Sequence, residues 1–461
     1  MKPSIPQGTR DFSPTVVRKR QYILKTVQNV FELYGFLPLE TPSMENLSTL
    51  MGKYGDEGDR LIFKILNNGL HDPKNIEKSK TAFEKVLEGK NDPNLTERAL
   101  RYDLTIPFAR YVVMHQNDIA FPFRRYQMQP VWRADRPQHG RYREFWQCDA
   151  DVVGSNSLIN EAELLCIYQE SFHRLALPGI SVKINSRKVL AGLAECCDAT
   201  DLLTDITVAI DKLDKIGLDG VQSELLQKGI SADKIQFILQ YLNIKGDTEL
   251  QLAKMSALLI SSETAQTGIQ ELRDTIRYYK QLRNENWQSD LVVDFTLARG
   301  LNYYTGIIAE VVTSAVKMGS IGGGGRYDDL TGLFGLKGLS GVGVSFGIDR
   351  IYDVMEELNI FPEQLTSATQ LIFVNIDKDA EKQIFIYLNQ LRAAGIAVEY
   401  YMDNAKFDKQ MKYADKRNIP FVGIIGESER VENIINLKNM KTGEQQKMNV
   451  SELQSFLLSE N

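Results

Sequence analysis

Between residues 15 and 34, Ile23, Val27, Val30, Phe31 and Tyr34 recur at i, i+4, i+7, i+8 and i+11, the apolar stripe of an amphipathic helix. Gly35 ends it in the usual C-terminal fashion, and a short extended run, Phe36 to Glu40, leads to Pro42. Residues 67–97 are polar and rich in Asn, Lys, Glu and Asp, which predicts a partly helical surface insertion. Tyr126 to Val131 and Tyr142 to Val153 predict two strands joined by a charged loop, Asp135 to Arg141, that carries Pro137 and Gly140. From 186 to 288 the period becomes helical, without the Gly-rich punctuation found on either side. Strand-like sequence returns at Leu291 to Phe295 and Tyr303 to Thr313.

An insertion that interrupts a β-rich domain explains this order better than a string of domains. The spacing therefore predicts a β-rich domain over 1–185 and 289–361 and a helical insertion over 186–288. Gly341 to Gly347 predicts a glycine-spaced strand, followed by a helix from Ile348 to about Leu358. After a linker at 362–368, apolar strands at Leu371 to Ile376, Ile396 to Tyr401 and Phe421 to Ile425 alternate with helical stretches at 379–394 and 405–417. That alternation predicts a small, largely parallel α/β domain over 368–461.

Composition narrows the classes. A length of 461 residues with 43% hydrophobic and 25% charged positions is that of a multidomain globular protein. No apolar run reaches membrane-spanning length, and the first residues carry no apolar leader, so a cytoplasmic location is expected. The four cysteines and four histidines show neither disulfide nor metal-ligand spacing. A net charge of −6 does not announce a nucleic-acid binder, but charge placement decides that question. Between Phe121 and Phe145, Arg124, Arg125, Arg133, Arg136, Arg141 and Arg143 face only Asp135 and Glu144.

Four polar clusters carry candidate chemistry. If Arg141 to Asp151 is extended, Phe145, Gln147, Asp149 and Asp151 share one face, and Trp146, Cys148 and Ala150 the other. The first face makes either a floor for a cationic ligand or a polar edge strand. Asp103 and Thr105, in Leu100 to Pro107, share a face if extended, or else form an Asx-type turn. Arg299, in Leu297 to Gly306, needs a partner or a ligand among its apolar neighbours. Four glycines from Gly322 lead to Tyr327, and Gly341 to Arg350 ends in a helix start suited to phosphate. No GxxxxGK[ST] loop is present.

These segments, in this order, closely resemble the three motifs of class II aminoacyl-tRNA synthetases, and specifically the histidyl-tRNA synthetase family. The 15–34 helix with Pro42 resembles the dimer-forming motif 1. Arg133 to Asp135 with Arg141 to Phe145 resembles motif 2, and Gly341 to Arg350 motif 3. Leu297 to Tyr304 and Gly322 to Tyr327 resemble the two histidine signatures. The likeness implies an α+β catalytic domain, a six-stranded antiparallel sheet flanked by helices, followed by an anticodon-binding domain. It implies a homodimer that activates histidine with ATP and Mg²⁺ and passes it to tRNA(His).

On that likeness Arg133 and Arg299 are catalytic at the α-phosphate. Asp135 and Phe145 hold adenine, while Arg141 and Arg350 hold the outer phosphates. Asp103, Thr105 and Gln147 receive the histidine amino group, and Asp151 and Tyr304, beside Tyr303, the imidazole. Gln138 reads the tRNA acceptor end, and Lys406, Lys409 and Lys412 the anticodon arm. No residue is assigned to the metal. Asn302 stands where many members carry Asp, and Asp103 and Asp151 where many bacterial members carry Glu. Two readings compete: a histidine-binding regulatory paralogue, against which Arg133, Arg141, Arg350 and the C-terminal domain all count, and another class IIa synthetase, for threonine, proline or glycine, against which the signature around Arg299 and Tyr304 counts.

Overall fold

The computed structural model describes residues 2–287, 290–298, 303–362, 365 and 367–459, with the side chains of 55–57 left aside. The chain forms two compact units, Met1–Asp11 with Arg20–Ile360, and Phe12–Lys19 with Phe361–Asn461. The predicted first helix spans Pro14–Leu33 and buries Ile23, Val27, Val30 and Phe31, the stripe read from the sequence.

The first unit is built on an eight-stranded sheet. Its strands are β1 (Leu37–Pro38), β2 (Phe123–Trp132), β3 (Glu144–Val153), β4 (Ile180–Ser186), β5 (Asp290–Val293), β6 (Ile307–Thr313), β7 (Gly322–Asp328) and β8 (Ser340–Gly347). They lie in the order β1-β2-β3-β8-β7-β6-β4-β5. The six central strands pair antiparallel, as the resemblance implies. A parallel neighbour at each edge, β1 on β2 and β5 on β4, makes the whole sheet mixed. Strand β6 begins at Ile307 and not at Tyr303, because Tyr303 and Tyr304 lie in the irregular approach to it. The 186–288 stretch is helical throughout its main segments, from Arg187–Cys196 to Glu263–Leu282.

The two faces of the central strands differ in kind. On one, Phe346 of β8 packs against Phe31, Tyr168 and Phe172 at 5.7, 4.7 and 5.5 Å between ring centres. Full burial of each such ring contributes about 1.5–3 kcal/mol, so this face is the hydrophobic core. On the other, Gly323, Gly325, Gly343 and Gly347 leave β7 and β8 bare, beside Gln147, Asp149 and Asp151 of β3. A Cβ added at Gly343 would stand 2.0 Å from the Asp151 Oδ1, so glycine is required there by contact.

The second unit carries a five-stranded sheet of β9 (Leu371–Phe373), β10 (Val398–Tyr400), β11 (Phe421–Ile424), β12 (Ile435–Asn439) and β13 (Gln445–Met448), ordered β10-β9-β11-β12-β13. The three predicted strands are parallel to one another. Two further strands pair antiparallel, and a final helix, Val450–Ser459, buries Leu453 and Leu457 in the same core. Strands β12 and β13 escaped the sequence reading because they carry no apolar run of the kind that marks β9, β10 and β11.

Candidate active site

The bare face of the sheet opens into a cavity of about 610 Å³. Its wall brings together Arg133, Asp135, Arg141, Phe145, Gln147, Tyr304 and Arg350, residues that lie up to 217 positions apart in sequence. Gly322, Gly323 and Gly324 complete the floor, and Asp211 and Lys215 of the helical stretch contribute to the rim.

Three guanidiniums meet on this wall. Arg133 lies 4.3 Å from the Tyr102 ring and 5.2 Å from Phe145, with its Nε donating to the Tyr102 carbonyl at 3.1 Å. Arg141 pairs with Asp135 at 2.9 Å. Arg350 follows β8 in the first turn of the Ile348–Glu357 helix and donates to the carbonyls of Gly140 (2.7 Å) and Ser320 (2.6 Å). Burial, and then the charges of Arg141 and Arg133, hold its guanidinium below the usual arginine range. Cations so placed favour an anion among them, and arginine forks match phosphate.

On the strand that gives the cavity Gln147, and at Asp103, lies a buried acidic layer that does not itself line the cavity. Asp103 accepts from the hydroxyls of Tyr54 (2.9 Å) and Tyr303 (3.2 Å) and from the Ile106 N–H (3.2 Å). The run is therefore not extended at Thr105, which opens the helix Thr105–Met114, and the Asx-type bond is present. Asp103 and Thr105 meet at Tyr303 instead of sharing a strand face. Asp151 accepts from the Tyr327 hydroxyl at 2.6 Å and faces Arg125 at 2.9 Å. Burial raises the carboxyls of both Asp103 and Asp151. Burial first, then the neighbouring Asp151, push Asp149 up to about 7 against the pull of Arg125. Gln147 donates to Ser345 at 2.9 Å, and its buried Oε1 has no partner among the described residues.

The arginine-rich run does not act as one patch. Arg124 pairs with Glu163, Arg143 donates to the carbonyls of Asp135 and Gln7, and Arg125 is fully buried against Asp151 and the Phe108 ring. Only Arg133 and Arg141 of the six line the cavity. Gln138 is exposed, in the turn that brings it opposite Arg141. Arg299 and Asn302 lie outside the described residues. Lys406, Lys409 and Lys412 are exposed in the second unit near the half-exposed rings of Phe407 and Tyr413. Gln410 of the same helix is buried and pins Asn375 and Ala405 by backbone bonds, a structural task.

Reading from the sequence missed Arg125, Tyr54, Tyr327 and Asp349. Asp349 accepts from Arg10, from Arg20 at 2.5 Å and from the Trp146 N–H at 2.9 Å, tying the N-terminal segment, β3 and the last helix of the unit together. A usable signal existed for Arg125 alone: it shares the strand face of Gln127 and Gln129 directly across from Asp151.

A family model described as histidyl-tRNA synthetase matches residues 79–351, and an anticodon-binding-domain model matches 370–460. Histidine–tRNA ligases from Christiangramia forsetii and Porphyromonas gingivalis are 54% and 53% identical, covering 99% and 96% of both chains. A solved histidyl-tRNA synthetase from a Nostoc species superposes with a TM-score of 0.83 at 31% identity over the full length of both chains. Among the described residues, no helix is long and apolar enough to cross a membrane.

A pH dependence follows from Asp149. Its folded-state pKa is raised, so the native state holds a proton that the unfolded chain loses above about pH 4. Its contribution to stability is full below that value and is lost as pH rises through about 7. Asp149→Asn cannot ionise, so it should gain melting temperature relative to wild type at pH 8 more than at pH 5. Parallel melting curves across that range would show that Asp149 is not shifted.

Proposed function

The chain belongs to the histidyl-tRNA synthetase family, and its reaction is the ATP-dependent ligation of histidine to tRNA; we propose that the cavity walled by Arg133, Arg141 and Arg350 performs it. The carrying observation is the meeting of three guanidiniums on one cavity wall, with Asp149 buried on the strand beside the wall residues Gln147 and Ser345. Such a space suits two ligands at once, a triphosphate and an amino acid with a cationic end.

In the first step the histidine carboxylate oxygen forms a bond to the α-phosphorus, and the bond to the β-phosphate oxygen breaks, releasing pyrophosphate. In the second, a tRNA 3′-terminal hydroxyl attacks the acyl carbon and AMP leaves. No side-chain nucleophile enters either step, so positioning and charge stabilisation carry the rate. Arg133, together with Arg299, holds the α-phosphate, and Arg141 and Arg350 the outer phosphates. Phe145 stacks on adenine, and Asp135 accepts from its amino group. Gln147, through its open Oε1, and Asp103, with Thr105, receive the histidine amino group, while Tyr304 and the acidic row ending in Asp151 face the imidazole beside Tyr303.

Magnesium fits as an ion carried in by the nucleotide. Among the described residues no cluster of three or more His, Cys, Asp or Glu could cage it. Glu310 places a carboxylate on the cavity wall and would contact it there, where it would offset phosphate charge. The catalytic domain comprises 1–185 and 289–361, with the helical insertion at 186–288. The 368–461 domain binds the anticodon arm through Lys406, Lys409 and Lys412, and Gln138 reads the acceptor end. Exposed Leu33, Leu37 and Met44 support a homodimer, checked by sedimentation at dimer mass on dilution. The assembly works in the cytoplasm.

Histidine alone among the twenty amino acids should drive ATP–pyrophosphate exchange, and only with magnesium present. Exchange driven by another amino acid would overturn the histidine assignment. Arg350→Ala should lower kcat/KM for exchange by about 10²- to 10³-fold, the typical loss for one transition-state charge partner. Replacing Lys406, Lys409 and Lys412 together by Ala should raise KM for tRNA roughly tenfold, by loss of phosphate contacts, while exchange stays unchanged. An equal loss in both assays would place those lysines elsewhere in the mechanism.

A further inference from the structure

The helical stretch reaches the cavity at two residues, Asp211 and Lys215, that belong to none of the polar clusters of the sequence. The helix Leu203–Asp211 ends at the first of them, and the next helix, Leu213–Gln227, is broken at Gly217, whose φ of 67° and ψ of 177° are not helical. Lys212 to Ile216 is therefore one turn between two interruptions, closed by the Lys215 and Ile216 N–H groups on the Lys212 carbonyl at 2.8 and 3.0 Å. Leu213 and Asp214 of that turn border a second space, of about 160 Å³, together with Val312, Met318 and Ser320. Ser320 also lines the main cavity, and its carbonyl takes the Arg350 guanidinium. The turn thus meets the cavity on the side of Arg350.

Other lysines of the unit are held by carboxylates: Lys183 by Asp294, Lys188 by Glu271, Lys212 by Glu224 and Lys228 by Asp205. Lys215 is exposed, and among the described residues its ammonium has neither an ion pair nor a hydrogen bond. Asp211 and Glu310 bring two carboxylates to the wall that carries the three arginines. A triphosphate entering beside those carboxylates calls for positive charge on their side as well. An ammonium on a four-carbon stem supplies it as a point charge that can follow the phosphate oxygens, without the fixed geometry of a guanidinium.

We propose that the Lys215 ammonium donates to the outer phosphates of ATP beside Arg350, so that the helical stretch takes a direct part in the activation step. The contact ends when pyrophosphate leaves, and Lys215 has no share in the transfer to tRNA. This assignment rests on the cavity being the nucleotide site, and it adds to that site a cation from outside the sheet.

The test is ATP–pyrophosphate exchange with the full-length chain, resolved into KM for each substrate. Lys215→Ala should raise KM for ATP about tenfold, the low end for a hydrogen bond to a charged group because Lys215 is exposed and screened, and leave KM for histidine within about twofold. Lys215→Arg keeps the charge and should recover most of that loss. Raising salt from about 0.05 M to about 0.5 M should narrow the gap between wild type and Lys215→Ala, since salt screens exposed charges. Transfer of histidine from preformed histidyl-adenylate to tRNA should keep its rate in Lys215→Ala. Lys212→Ala, in which the lysine removed is the one paired with Glu224, should leave KM for ATP unchanged. An unchanged KM for ATP in Lys215→Ala, or an equal rise for ATP and histidine, overturns the assignment. If circular dichroism finds Lys215→Ala unfolded, Lys215→Gln takes its place with the same outcomes. Arg350→Ala separates the levels: if it leaves exchange untouched, the nucleotide-site reading fails. If it acts and Lys215→Ala is silent, only this assignment fails.

Discussion

A sheet face inside a unit of this size normally fills with branched apolar side chains, and here it does not. Gly323, Gly325, Gly343 and Gly347 strip the middle strands, and the neighbouring strand supplies Gln147, Asp149 and Asp151. The open space exists because no side chain enters it, and the acids stand at its edge because the strand period puts them there. Burying three carboxylates is expensive unless each finds a cation or donors. Arg125 and the hydroxyls of Tyr54, Tyr303 and Tyr327 are what make that burial tolerable. Without Arg125 the layer would hold uncompensated negative charge, at a typical cost of about 3–5 kcal/mol. The aromatic core on the reverse face packs the strands against their helices while this one stays polar.

The acidic layer and the arginine wall place acceptors and cations at two sides of the proposed site. On the proposed reading a zwitterionic amino acid would align with its ammonium toward Asp103 and Gln147 and its carboxylate toward the guanidiniums. That orientation would bring the carboxylate to the proposed α-phosphate position, so that the field that selects the substrate also aims the reacting oxygen. Because the dipoles and charges are fixed before substrate arrives, little reorganisation remains for the reaction itself. The depressed basicity of Arg350 is the signature of that arrangement, since cations crowded by burial and by each other are stabilised when an anion enters.

Local pattern made much of this legible. The first helix, the two long strands β2 and β3, the helical stretch and the α/β alternation of the last hundred residues follow from periodicity alone. Seven of the residues singled out for chemistry line one cavity because motif order carried them together. What was not legible is set by long-range contact. Arg124, Arg125 and Arg143 look alike in a basic run, yet one is paired at the surface, one is sealed in the interior and one braces a loop. Charge counting cannot separate them, because burial is decided by strands that arrive later in the chain. Asp349 reads as an ordinary helix-start acid, and its bonds to Arg10, Arg20 and the Trp146 N–H appear only when the N-terminal segment folds back.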